Sequence, residues 1–412
     1  MRNPESLIFN CSQALRDAMW LRDSANQLLS YLYVLRPSSN PNSLAALFRG
    51  VINAQSRYIK VTPYCHAYPP PPESGFSSPM NGAYHQNKVH MFGKPGYDQR
   101  KTFDCKWELD SLASFLQISS EYYNATRDLG PFKKYRWVET VEVILHAANA
   151  MRTATYTSDG HIAQSGYTMT GHTDRATETT SNNGLGNPVI WTGMVRSTFR
   201  PSDDATIFQF FIPGNMMFAR QLEAAAGLMD IIGTKRCRNL AFEMRTMATE
   251  IRGGITKYGI VSHPQFGAMF AFEVDGYGGQ VCRVVSYFAG YRALTAYQNL
   301  MDDANLPSLL SASMMGYVSS RDEVYQNTRL FALSKSNPYW AFGDAYNAIG
   351  GPHLGPTKGW PLASIVRILT SEDVSGEEAS HELREILGST DGLGLVHESI
   401  SSWNSKDWSR QW

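Results

Sequence analysis

The chain has 412 residues, 43% apolar and 18% charged, a length and balance that support a large buried core and exclude a disordered composition. Lys+Arg and Asp+Glu both total 37, so the formal charge is zero and the basic excess typical of a nucleic-acid binder is missing. No apolar run reaches the roughly 18 residues that a bilayer span requires.

Taken in chain order, the sequence predicts mainly helices. Spacing points to helices at about 24–35, 42–59 and 108–125. Trp137, Val141, Ile144, Leu145, Ala148 and Met151 then fall on one helical face. Phe218, Leu222, Ala225, Met229 and Ile232 repeat the pattern, as do Leu240, Met244, Met247 and Ile251. The one clear strand signal is Ala268–Val274, ending in an Asp-Gly turn. Further helices are predicted at 321–333, 360–371 and 376–388, the last with Ser375 as N-cap ahead of Glu377 and Glu378. Long polar loops run from Pro69 to about residue 103 and over 153–188, lengths that in a compact domain mark functional or disordered segments. Many helices with polar motifs on the long connections predict an α/α barrel as a single domain over residues 1–412.

Carboxylates and aromatics are concentrated in these loops. Arg22 beside Asp23 offers donors and an acceptor for vicinal hydroxyls, or a simple surface ion pair with Ser24 as a cap. Glu108 and Asp110 flank the start of an apolar helix beside Trp107. In F-R-P-S-D-D-A (199–205), Arg200 can pair with one Asp and Ser202 can hold the other, while adjacent Asp203 and Asp204 raise the cost of ionising both. A raised carboxyl pKa suits a general acid. Glu273 and Asp275 would point the same way on a strand, and M-D-D-A-N-L-P-S (301–308) is a second acidic turn. His353 lies on a Gly-rich loop with no second His at metal spacing, and His397 precedes Glu398. With 9 Trp and 21 Tyr available to stack on sugar rings, the surplus of loop carboxylates fits glycoside hydrolysis. No G-x-S-x-G elbow, P-loop, G-x-G-x-x-G after a strand or H-E-x-x-H competes with that reading.

Five cysteines (Cys11, Cys65, Cys105, Cys237, Cys282) lack C-x-x-C spacing and suggest neither a zinc site nor a disulfide framework. One bridge, such as Cys65 to Cys105, stays open for a secreted protein. The first 25 residues carry no signal-peptide pattern, because Arg16, Asp17, Arg22 and Asp23 interrupt the apolar run.

Nine segments, in order, resemble glycoside hydrolase family 125, the exo-acting α-1,6-mannosidases that include fungal proteins labelled meiotically up-regulated. They are AMWLRDS (18–24), PPPES (70–74), KWELDSL (106–112), FRPSDDA (199–205), IPGNMMFA (212–219), FEVDG (272–276), LMDDANLPSLL (300–310), GPHLG with WP (351–361) and HES (397–399). The resemblance implies an (α/α)6 barrel, hydrolysis without a metal or other cofactor, inversion at the anomeric carbon, and a mannose-containing oligosaccharide or glycoprotein glycan as substrate. It places the general acid in Asp203-Asp204, with Asp204 preferred, and the general base at Glu398. Arg22, Asp23, Glu108, Asp110, Arg200, His353 and His397 are the implied sugar-binding residues. An inverting pair should stand roughly 6.5–9.5 Å apart. It also implies a secretory location. Two other readings are a non-catalytic carbohydrate-binding relative and a glycosidase of the same barrel with another linkage specificity. Against the family pattern, both termini look incomplete and residues 279–298 look inserted, as in a mis-spliced gene.

Overall fold

The apolar spacing read from the sequence becomes buried helix faces. In the computed structural model the residues described are 18–76, 81, 98, 100–171, 173, 176–279, 284–288, 291–295 and 300–409. They fall into two units. One comprises Met1–Arg200, Ala205–Ile207 and Phe218–Arg252; the other comprises Pro201–Asp204, Phe208–Met217 and Gly253–Trp412.

In the first unit, strand β1 (Met19–Trp20) pairs antiparallel with β2 (Ala67–Tyr68) and runs directly into helix α1 (Leu21–Leu29). Helix α1 therefore starts three residues earlier than its periodicity suggests. Its N-cap position is Trp20, and Ser24 instead turns its hydroxyl back to the Trp20 and Leu21 carbonyls. Helix α2 (Leu44–Val61) has a true side-chain cap, with the Ala46 N–H donating to Ser43 Oγ at 3.2 Å. Helix α3 (Leu109–Thr126), the short α4 (Gly130–Lys134) and α5 (Trp137–Ala150) complete the hairpins. All six residues assigned to the α5 face, Trp137 through Met151, are at most 2% exposed. Each large side chain buried in this way contributes about 1.5–3 kcal/mol. Helix α6 (Ile212–Ile232) and α7 (Lys235–Gly254) follow, with Phe218–Arg252 in this unit, burying Phe218, Leu222, Ala225 and Met229, and Leu240, Met244, Met247 and Ile251.

The second unit is built of short strands and three helices. Strand β3 (Phe210–Phe211) is followed by the β4 (Ile260–His263) and β5 (Gly267–Phe270) hairpin and by β6 (Glu273–Val274). The single strand predicted over 268–274 is two strands with different partners: β5 pairs with β4, and β6 with β3. The expectation that Glu273 and Asp275 share a strand face is corrected accordingly. Glu273 accepts the Phe208 N–H, whereas Asp275 lies beyond β6 and accepts from Tyr277. Strands β7 (Val284–Phe288) and β8 (Tyr291–Thr295) form a hairpin inside the stretch read as inserted; the side chains of that stretch from residue 280 to 299 lie outside the described residues.

Helix α8 (Glu323–Ala332) is capped by Asp322 and receives Phe270 through its Thr328 hydroxyl. Strands β9 (Trp340–Ala341) and β10 (Ala348–Ile349) pair, and β11 (Lys358–Gly359), β12 (Ile400–Ser401) and β13 (Asn404–Trp408) form a three-stranded antiparallel sheet. Between β11 and β12 lie α9 (Pro361–Leu369) and α10 (Glu377–Gly388), joined by ion pairs from Arg367 to Glu378 and Glu382. The N-cap of α10 is Gly376, at φ 74°, rather than Ser375, although the Ser375 hydroxyl still accepts the Glu377 N–H. Ala304, Leu310, Ala332, Ile349, Trp360, Ala363 and Val366 form the apolar cluster beneath the acidic turn and the Gly-rich loop.

Candidate active site

In the first unit, sequence-distant charges converge on Arg22. The β1–β2 pair sets the start of α1, where Arg22 occupies the first turn, next to the start of α3. Its guanidinium donates to Glu108 at 2.7 Å and to Asp110 at 3.0 Å, and stands 3.6 Å from Asp23. The Arg22–Asp23 pair expected from adjacency is thus the weaker partner of a four-member group. Glu108 and Asp110 are not helix-end ornaments: both side chains are fully buried. Burial pushes the Asp110 carboxyl up, against the pull of Arg22. A buried carboxylate pair bridged by one guanidinium presents fixed acceptors and donors, the equipment for hydroxyl recognition.

Sequence reasoning missed one feature of this group and left a second open. His66 is fully buried; the Lys106 N–H donates to its Nδ1 at 3.2 Å, and its Nε2 stands 3.9 Å from Glu108. A disulfide, Cys65–Cys105, joins the chain immediately before His66 to the chain immediately before Lys106. The cysteine spacing allowed that bridge without selecting it. Closing a loop of 40 residues removes denatured-state freedom worth about 4 kcal/mol in the chain-entropy model. A Cys65→Ala/Cys105→Ala variant is expected to lose about that much stability in denaturant unfolding, and an unchanged midpoint would show that the bridge is dispensable.

The F-R-P-S-D-D segment is led in by main-chain bonds. The Phe199 N–H donates to the Trp107 carbonyl, the Leu109 N–H to Ser197 Oγ, and a bridge between Phe199 and Ala205 closes the turn. Arg200, at 4% exposure, is buried at its entrance.

In the second unit the turn itself carries Asp203 at φ 67°, a left-handed conformation that Asp adopts more readily than most residues and that often marks a functional turn. Asp204 is 3% exposed. Its Oδ2 accepts the Ser202 hydroxyl at 2.8 Å and faces His353 Nδ1 at 3.6 Å. The sequence expectation that Ser202 holds one of the two Asp residues is met at Asp204. The Asp204 carboxylate raises the His353 pKa above its ordinary value, with Asp203 and Glu398 adding to the same effect. One imidazole therefore senses all three candidate catalytic carboxylates, which come from segments about 150 and 45 residues away from it.

The loop carrying His353 is held by the acidic turn. The Ala304 N–H donates to the Gly350 carbonyl, and a Cβ on Gly351 would come within 2.8 Å of the Asp303 carboxylate, so a larger residue there would have to displace that side chain. Asp302 does structural work, accepting the Leu309 and Leu310 N–H groups, and its burial pushes the carboxyl up to about 7. Glu398 is 4% exposed and receives the Ser409 hydroxyl at 3.0 Å. His397, expected at the sugar, is 1% exposed, with its ring stacked on Trp408 at 4.1 Å and 7°.

The profile of the metal-independent α-mannosidases, family GH125, matches residues 16–283 and 293–412. The chain belongs to that family. The match passes over residues 284–292, inside the stretch read as an insertion. A family relative, the meiotically up-regulated gene 157 protein of Schizosaccharomyces pombe, is 38% identical over 413 residues, spanning all of this chain and 74% of the relative. A solved GH125 α-mannosidase structure from Streptococcus pneumoniae, a non-productive complex with α-1,6-mannobiose, matches with a TM-score of 0.80 at 28% identity, over 96% of this chain and 82% of that one. A further glycosidase, at 11% identity and a TM-score of 0.50, covers 98% of this chain and 87% of its own and shares the fold alone. The mostly helical GH125 chain thus has the (α/α)6 glycosidase fold class expected from its sequence.

Proposed function

We propose that this GH125 protein is an inverting exo-α-mannosidase that removes non-reducing-end α-1,6-linked mannose. The observation that carries the reading is the buried Asp204 carboxyl, held by the Ser202 hydroxyl at 2.8 Å and facing His353 at 3.6 Å, in the same unit as the buried Glu398. Asp204, preferred over Asp203, acts as general acid and protonates the glycosidic oxygen. Glu398 acts as general base and takes a proton from the water that attacks the anomeric carbon on the opposite face. The proton leaving water neutralises Glu398, and the proton leaving Asp204 completes the departing alcohol. The Ser202 hydroxyl can donate to the Asp204 oxygen it already contacts, which stabilises the carboxylate left once the acid has donated.

Arg22, Asp23, Glu108 and Asp110 bind mannose hydroxyls, a role supported by the buried donors and acceptors gathered around one guanidinium. Arg200 is assigned to the same task. The α-1,6 preference is supported by the sugar bound in the Streptococcus pneumoniae relative. A panel of α-linked mannobioses tests the linkage, and proton NMR of the first product tests the stereochemistry. The expected result is preferential cleavage of the 1,6-linked member with β-mannose appearing first. Initial α-mannose would overturn inversion, and equal cleavage across the panel would overturn the linkage assignment.

A further inference from the structure

We propose that Ser409 is a positioning residue for Glu398, an inference that rests on the reading of Glu398 as the general base. The β12–β13 hairpin returns the chain alongside the segment that carries the base. Ile400 pairs with Trp408, so the next residues outward, Ser399 and Ser409, also face each other. The Ser409 N–H donates to the Ser399 carbonyl at 3.0 Å, and the Ser399 N–H donates to Ser409 Oγ at 3.0 Å. The two hydroxyl oxygens are 3.0 Å apart. A serine hydroxyl has one proton to give. With its oxygen already accepting the Ser399 N–H, Ser409 directs that proton at the strongest acceptor in reach, Glu398 Oε2 at 3.0 Å. The preceding residue, Trp408, covers the His397 ring. Trp408, the last residue of β13, and Ser409 just after it thus back two successive residues of the H-E-S segment.

The consequence is orientational. Fixing Oε2 fixes the plane of the carboxylate, and a base that rotates freely spends less time aligned with the water it must deprotonate.

The test compares Ser409→Ala, Ser409→Thr and Glu398→Gln, alone and as Ser409→Ala/Glu398→Gln, on an aryl α-mannoside and a mannobiose. Lys406→Ala, exposed on the same strand, is the control. Ser409→Ala is expected to lower kcat by about 10-fold or more with KM within about 2-fold. Ser409→Thr should restore kcat. In the Glu398→Gln background the Ala substitution should add nothing, because its effect runs through the missing carboxylate. A wild-type kcat in Ser409→Ala, or a loss that repeats fully in the Glu398→Gln background, overturns the proposal. Full activity in Glu398→Gln overturns the base assignment itself, a separate outcome. Should Ser409→Ala fail to fold, Ser409→Cys keeps the size with a weak donor and is expected to show the same kcat loss; a wild-type rate there also overturns the proposal.

Discussion

Glu398→Gln is expected to lower turnover on an α-mannoside by about 100-fold or more while leaving sugar affinity nearly unchanged. The amide keeps the size and shape of the carboxylate but has no basic oxygen for the water proton, so the loss appears in the chemical step. In free-energy terms the expected effect is about 2.7 kcal/mol of transition-state stabilisation. The substitution is gentle to the fold because the Ser409 hydroxyl, now at Glu398 Oε2, can still donate to an amide oxygen at that position. Single-turnover kinetics with a mannobiose, alongside titration of mannose binding, measure the two halves separately. A variant that turns over at the wild-type rate removes Glu398 from the reaction; one that binds mannose much more weakly assigns it to recognition instead.

The second large effect is a dependence on the leaving group. Asp204→Asn is expected to cost a mannobiose about 100-fold or more in kcat/KM, and an aryl mannoside with an acidic phenol far less. A disaccharide leaves as an alkoxide unless protonated, whereas the phenolate departs unaided. The buried setting of Asp204 makes the comparison clean. The Ser202 hydroxyl at 2.8 Å can still donate to the amide oxygen, so the turn is preserved. Asp203→Asn is the matched control, since Asn also tolerates the left-handed φ of 67° at that position. Equal losses on both substrates for Asp204→Asn would show that Asp204 is not the acid. The leaving-group signature in Asp203→Asn would then identify its neighbour.

Local periodicity and motif order made much of this protein legible in the sequence. The faces of α5, α6 and α7 followed from 3.6-residue spacing because burial of one helical stripe is a property of consecutive residues, and of the fifteen positions named, all except Ile232 are buried. Nine ordered segments carried the family, and the family carried the fold class. What consecutive residues did not hold was the identity of each charge's partner. Arg22 looked paired to Asp23, its neighbour in the chain, yet the fold offers it Glu108 and Asp110 from 86 and 88 residues away. Ala268–Val274 looked like one strand because its apolar pattern is continuous, yet two different hydrogen-bonding partners divide it. His353 and Asp204, and Ser409 and Glu398, carry no mutual signal in spacing. Helix faces are set by near neighbours in sequence, whereas the ionisation and aim of a carboxylate are set by whatever lies within a few ångströms in space. The sequence determined which carboxylates were available, and only the tertiary structure decided which donors hold them.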